Sequence, residues 1–219
     1  FQAFKVLHRL PYPDRNERQY DEFWKQFYIK NVITSMMSTR LKKVSQKPDS
    51  PANSAVVVTN SVSDDFYTTL FTITPKKEDQ LEEALRLYER EVRRMLEFGF
   101  SEDEFEVAKT NIWKRHSLDN EISRESIENE TIVNICLEHF LRDVPMVLPD
   151  KLLEIQKNVL GNLEFKEVMA YVPAMLKDCE KFYTYNVGND KVHLLPSTER
   201  MKEIIAEVQT EKLTPEFVE

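Results

Sequence analysis

The chain has 219 residues, 41% of them hydrophobic and 31% charged, with a formal net charge of −8. That is enough chain to bury a sizeable core, in the composition of a globular protein. The acidic balance argues against a nucleic-acid binder, which needs a basic stripe to meet phosphates, and no apolar run reaches the ~18 residues of a membrane span.

Residues 3–10, AFKVLHRL, alternate apolar and polar side chains and read as a strand, which PYPD then breaks. From Gln19 to about Ser45 apolar residues recur at helical spacing (Tyr20, Phe23, Trp24, Phe27, Ile33, Met36, Met37, Leu41, Val44), giving one long, mostly buried helix. The two prolines of QKPDSPANS end it. SAVVVTN (54–60) is a β-branched run, apolar on both faces, and is expected inside the domain or under cover. DFYTTLFTIT (65–74) is a second strand, joined to the first by the hairpin loop NSVSDD.

From Glu78 to Lys177 the pattern is helical. Leu81, Leu85, Tyr88, Val92, Met95 and Leu96 mark one stripe. Gly99 follows it as an expected αL cap. Ser101 then reads as the next N-cap, with Glu104 completing a capping box and Glu102 and Asp103 at the positive helix end. This corner is expected to fold the second helix, with Phe105, Ala108 and Ile112, back beside the first. Further helices are predicted at about 122–142, 150–159 and 163–177, the last capped by Asn162 and kinked or ended by Pro173. KFYTYNVG (181–188) is a final strand. A polar connector then leads to an amphipathic helix, TERMKEIIAEVQ, and the tail LTPEFVE. The order predicts an α+β fold, with several helices packed on one face of a mostly antiparallel sheet. Residues 1–190 form the domain, and 191–219 form a connector helix and tail.

No motif for chemistry stands out. His8, His116, His139 and His193 fall in no metal-ligand pair. Cys136 and His139 share a helix face, but Leu137, Phe140 and Leu141 around them read as core packing. Cys136 and Cys179 are too few for a disulfide scaffold and read as two buried thiols. Glu125, Glu128 and Glu130 could pair for acid–base work, but read as a solvated face. Trp24, Trp113 and the aromatic strand 181–185 read as core rather than a stacking platform. Nucleotide-binding and nucleophile-elbow motifs are absent. The residues alone therefore give no catalytic and no metal-binding candidate.

The order of parts carries a resemblance. TRLKKV ends the long helix. A proline-containing loop and the hairpin SAVVVTNSVSDDFYTTLFTIT follow. The helix EDQLEEALRLYEREVRRMLEFGF runs straight into SEDEFEVAKTNI, and VLGNLEFKEVMAYV precedes the last strand. This series, above all the corner LEFGFSEDEFEVAK, resembles the second domain of the pitrilysin/insulinase family of zinc metallopeptidases, over about residues 4–190. The resemblance implies a pitrilysin-like metallopeptidase domain that is one repeat of a clam-like chamber. The zinc motif H-x-x-E-H of that family is absent here, so the resemblance implies a non-catalytic domain, with zinc in the catalytic domain of a longer parent chain. The fourth domain is the alternative placement, but the arginine and tyrosine it supplies to substrate have no counterpart here. Expected partners are the parent's catalytic domain and a peptide substrate, with no nucleic acid and no membrane span. The peptide would be held by strand addition at Val56, Val57 and Val58. Gly99, Ser101 and Glu104 form a structural corner. A scaffold domain of a family member that has lost zinc and activity is the other functional reading. The chain opens at Phe1 rather than Met and without a signal-like segment, so it reads as a piece of a longer protein. The compartment stays open in the sequence; bacterial members of that family are often exported, and the resemblance offers the cell envelope or periplasm as one option.

Overall fold

The computed structural model of the chain describes residues 2–11, 20–61, 66–125 and 129–216. Strands β1 (Ala3–Pro11), β2 (Ala52–Ser61), β3 (Phe66–Pro75) and β4 (Glu180–Asn186) form one antiparallel sheet in the order β2-β3-β1-β4. Seven α-helices accompany it among the described residues: α1 (Tyr20–Ser45), α2 (Leu81–Phe98), α3 (Glu102–Glu125), α4 (Asn129–Arg142), α5 (Pro149–Gly161), α6 (Phe165–Leu176) and α7 (Thr198–Thr210). The expected α+β class is the observed one.

Period-two alternation sends Phe4, Val6, His8 and Leu10 of β1 and Phe71 and Ile73 of β3 to a buried face. On that face α1, α2 and α6 pack against the strands, and Ile33, Met36, Leu85, Tyr88, Val168 and Val172 complete one continuous core. The register places Val58, Leu70, Leu7 and Phe182 in one row across the opposite face. Val58 and Phe182, at its two ends, are exposed.

The sharp corner after α2 follows from three residues. Gly99 has φ 67° and ψ −152°. The positive φ is as expected, but the ψ lies outside αL, in a region essentially restricted to glycine. Ser101 Oγ accepts from the Glu104 amide at 3.2 Å, and Glu104 Oε2 accepts from the Ser101 amide at 2.8 Å, so the capping box is formed. The same carboxylate takes a bidentate pair from Arg40 of α1, both bonds 2.6 Å, with both side chains buried. The Arg40 guanidinium also lies 4.3 Å from the Phe100 ring centre. The direction of the turn differs from the expectation. α3 does not lie along α2; it packs on α1 and α5, because the Arg40–Glu104 pair draws its first turn onto α1.

Other differences are local. Glu164, not Asn162, caps α6, and in return its own amide donates to the Glu167 carboxylate. Pro173 lies inside α6, and its carbonyl accepts from the amides of Lys177 and Asp178 just beyond the helix end. The strand pairing of the predicted hairpin is present, while its loop residues 62–65 lie outside the described residues. α7 runs alongside α2 in the same direction, joined by Arg200–Glu82 (3.0 Å), Arg86–Glu207 (2.5 Å) and Arg90–Glu211 (2.6 Å).

Candidate functional site: the open edge of β2

β2 is the outermost strand, and among the described residues no strand pairs with its outer edge. This corrects the expectation of an interior or covered strand. Val57 points into the core and is 3% exposed, whereas Val56 and Val58 are 46% and 42% exposed. The apolar-on-both-faces pattern therefore does not mean burial on both faces here.

A groove of about 760 Å³ runs beside this edge, where Val57, Val58, Thr59 and Asn60 line it. Asn31, Thr34, Ser35, Ser38 and Thr39 come from one face of α1, as their three- and four-residue spacing dictates. Asn111, Lys114 and Arg115 come from one face of α3. The hydroxyls of Thr34 and Thr59 bond at 2.8 Å, and Thr59 bonds onward to Thr69 at 3.2 Å, fixing α1 against the strand. Lys114 and Arg115 are exposed. The result is a trough with an unpaired backbone edge on one side and two cations on the other. Such a trough can take an extended peptide, the strand edge supplying sequence-independent hydrogen bonds and the cations favouring acidic groups.

The other candidates are dispersed. His8 is buried, its Nδ1–H donating to the Met175 carbonyl at 2.8 Å while Nε2 accepts from the Tyr88 hydroxyl. Burial pushes its pKa down to about 4, against a smaller upward pull from the Met175 bond. His116 packs against the Phe27 and Tyr28 rings. His139 Nδ1 donates to the Val144 carbonyl at 2.9 Å. Among the described residues no group of three or more His, Cys, Asp or Glu side chains is placed to hold a metal, so these residues do not fit a zinc centre. Cys136 is exposed and Cys179 half-buried, and the two are not bonded. This corrects the reading of two buried thiols. α4 buries none of its residues. Leu137, Phe140 and Leu141, expected in the core, face outward, because α4 makes at most slight contact with the sheet and with α1. Glu130 is exposed, and Glu128 lies outside the described residues. Trp113 is partly exposed, and Trp24 is half-buried among Phe23, Phe27 and Tyr28.

The groove's cations and hydroxyls were not singled out from the sequence. The signal was there in part: Thr34, Ser38 and Asn31 form a small stripe of uncharged polar residues on α1. That stripe makes sense only once β2 is known to end beside it.

The same fold recurs in solved peptidase structures. The first half of the periplasmic protease PqqL from Escherichia coli superimposes with a TM-score of 0.81 at 13% identity, over 98% of this chain and 45% of that one. An insulinase-family protease from Yersinia pestis gives 0.71 at 13% identity, over 95% of this chain and 44% of that one. The fold is that of M16/insulinase-family peptidase domains. The inactive peptidase domain of a Bordetella parapertussis protein described as a zinc protease matches at 0.58 with 14% identity, over 84% of this chain and 92% of that one. The chain thus spans less than half of the PqqL and Yersinia chains it matches. No protein-family model and no curated protein sequence matches it. Among the described residues no helix is long and apolar enough to cross a membrane.

Proposed function

We propose that this chain is a non-catalytic M16-type domain of a longer zinc peptidase, which packs on the catalytic domain, walls its chamber and holds substrate peptide by strand addition along β2. The observation that carries this reading is the unpaired β2 edge facing a groove with two cations. The likeness to an inactive peptidase domain supports the non-catalytic role, and the likeness to part of a larger protease supports a longer parent. Zinc belongs, on this reading, to another domain of the parent. A scaffold domain in a chain without peptidase activity is the second reading, and the likeness to an inactive domain favours it equally.

The test is titration of the chain with an extended acidic peptide and with the same peptide N-methylated at alternate backbone nitrogens. Strand addition predicts that methylation in one phase abolishes binding and in the other spares it, because only alternate amides face the strand. Lys114→Glu with Arg115→Glu weakens binding by roughly tenfold at low salt. Equal affinity for both methylation phases sinks the strand-addition role. One zinc per purified chain, with peptide cleavage, sinks the non-catalytic assignment.

A further inference from the structure

Beyond the groove, at its Asn31–Asn60 end, a separate cavity of about 360 Å³ opens between α1, β3 and the chain after α4. Its walls include Phe23, Trp24, Phe27, Tyr28 and Tyr67, and Lys30 lines it too. A second apolar hollow of about 370 Å³, with Ile135 and Val147 in its wall, shares Trp24, Val144 and Leu152 with the first. The volume falls at the lower end for small-molecule sites, about 300–1,000 Å³.

Two donors in this apolar setting have no acceptor. Lys30 is 3% exposed, and its Nζ makes no hydrogen bond; the indole Nε1 of Trp24 is likewise buried without a partner. Lysine is almost never fully buried unless paired, and an unmade buried hydrogen bond is costly. The Tyr67 ring centre, 3.7 Å from Nζ, and that of Tyr171, at 5.8 Å, stabilise the cation in part but accept no N–H hydrogen bond of ordinary strength. Burial pushes the Lys30 pKa down to about 7, the sign of an amine lacking a counter-charge. Glu138 at the rim is engaged with Arg142 at 3.1 Å instead.

We infer that this cavity binds an apolar carboxylic acid as its carboxylate, the aromatic walls enclosing the body while Lys30 Nζ and Trp24 Nε1, which have almost no accessible surface in this structure, turn outward to donate to the oxygens. The two buried donors without partners, one a cation and one neutral, suit a monoanion; Asn31, Asn60 and His116 also line the cavity. A phosphate group would leave charge uncompensated among aromatic rings. The adjoining hollow gives room for an aliphatic tail. The site does not depend on peptide adding to β2.

The acid could be free or a peptide's C-terminal group, and the probes separate these. Decanoate and decan-1-ol form one pair; N-acetyl-Phe-Leu-Phe and its C-terminal amide form the other. Each is titrated by calorimetry into the 219-residue chain. Trp24 emission is followed in a Trp113→Phe background, where Trp24 is the sole remaining tryptophan of two. At least one acid binds one to one, shifts Trp24 emission and exceeds its neutral counterpart by about tenfold or more. Lys30→Met lowers that affinity by about tenfold, and Trp24→Phe by about threefold. Lys30→Met removes a buried charge and so melts no lower than the parent; should it fail to fold, Trp24→Phe decides alone. Equal binding of acid and neutral partner, no binding of either acid, or affinity unchanged in the folded variants overturns the inference.

Discussion

Glu104 does two jobs with one carboxylate: it closes the capping box of α3 and neutralises Arg40. The first job was legible in the sequence, because a capping box carries both partners within four residues. The second was not, because nothing local relates position 104 to position 40. Glu104→Ala is therefore expected to cost more than a lost cap. It leaves the guanidinium buried without this carboxylate, a change of about 3–5 kcal/mol, where a cap alone costs about 1 kcal/mol. Urea denaturation measures the difference, and a loss near the cap value would show that Arg40 finds other compensation. Lys30 was not singled out from the sequence, although its charge falls in phase with the apolar stripe of α1. His8 supplies a second residue-scale test. In the unfolded chain its imidazole titrates near 6.5, and in the folded chain near 4. Above 6.5 it is neutral in both states and contributes no slope. As pH falls from 6.5 to 4 the unfolded chain takes up a proton the folded chain refuses, so stability drops, reaching roughly 3 kcal/mol below pH 4. Burial raises the carboxyls of Glu89 and Glu91, which slope the other way. The comparison of wild type with His8→Gln isolates the imidazole: the variant is expected to lose less stability across that window, and parallel pH curves would refute the assignment.

At the scale of elements, strands and helices followed from periodicity, since side-chain alternation and the 3.6-residue stripe are written in the chain. What periodicity does not encode is which element covers which. β2 and α4 both carry apolar residues on more than one face, and both were expected inside. β2 became an edge because the sheet order places only β3 beside it. α4 exposes Ile132, Val133, Leu137 and Leu141, with Phe140 81% exposed. An apolar helix with no buried residue is an interaction surface or an aggregation hazard. On the function proposed above, a neighbouring domain of the parent is its cover. Phe140→Glu is expected to change the stability of this chain by no more than about 0.5 kcal/mol, as for other surface positions. Hydrogen exchange decides the rest. The α4 amides exchange quickly in this chain and become protected in a longer one, and Phe140→Glu removes that protection. Fast exchange in both chains would leave α4 without a docking role.

At the scale of the molecule, the division drawn from the sequence after residue 190 and the packing of α7 make different demands. The connector reading rested on the polar stretch NDKVHLLPS, which separates α7 from the last strand. Polarity marks solvent contact, and the segment forms a short 3₁₀ helix (Asn189–Leu194) with no buried residue. Beyond it, α7 buries Ile204 and Val208 completely, and Ile204 belongs to the main core. Three ion pairs tie α7 to α2, and Arg94 donates to the Thr214 carbonyl at 3.0 Å further along. The ion pairs are partly exposed and individually worth little, so the burial carries the argument. Two fully buried aliphatic side chains contribute about 3–6 kcal/mol together, a large share of the roughly 5–15 kcal/mol by which a domain is stable. A chain ending at Pro196 is therefore expected to unfold at clearly lower urea than the full 219 residues, with new apolar surface along α2 that binds a hydrophobic dye. Ile204→Ala in the 219-residue chain is expected to reproduce part of that loss, about 2–5 kcal/mol. If the truncated chain unfolds at the same urea concentration, α7 only rests on α2 and adds nothing to the core.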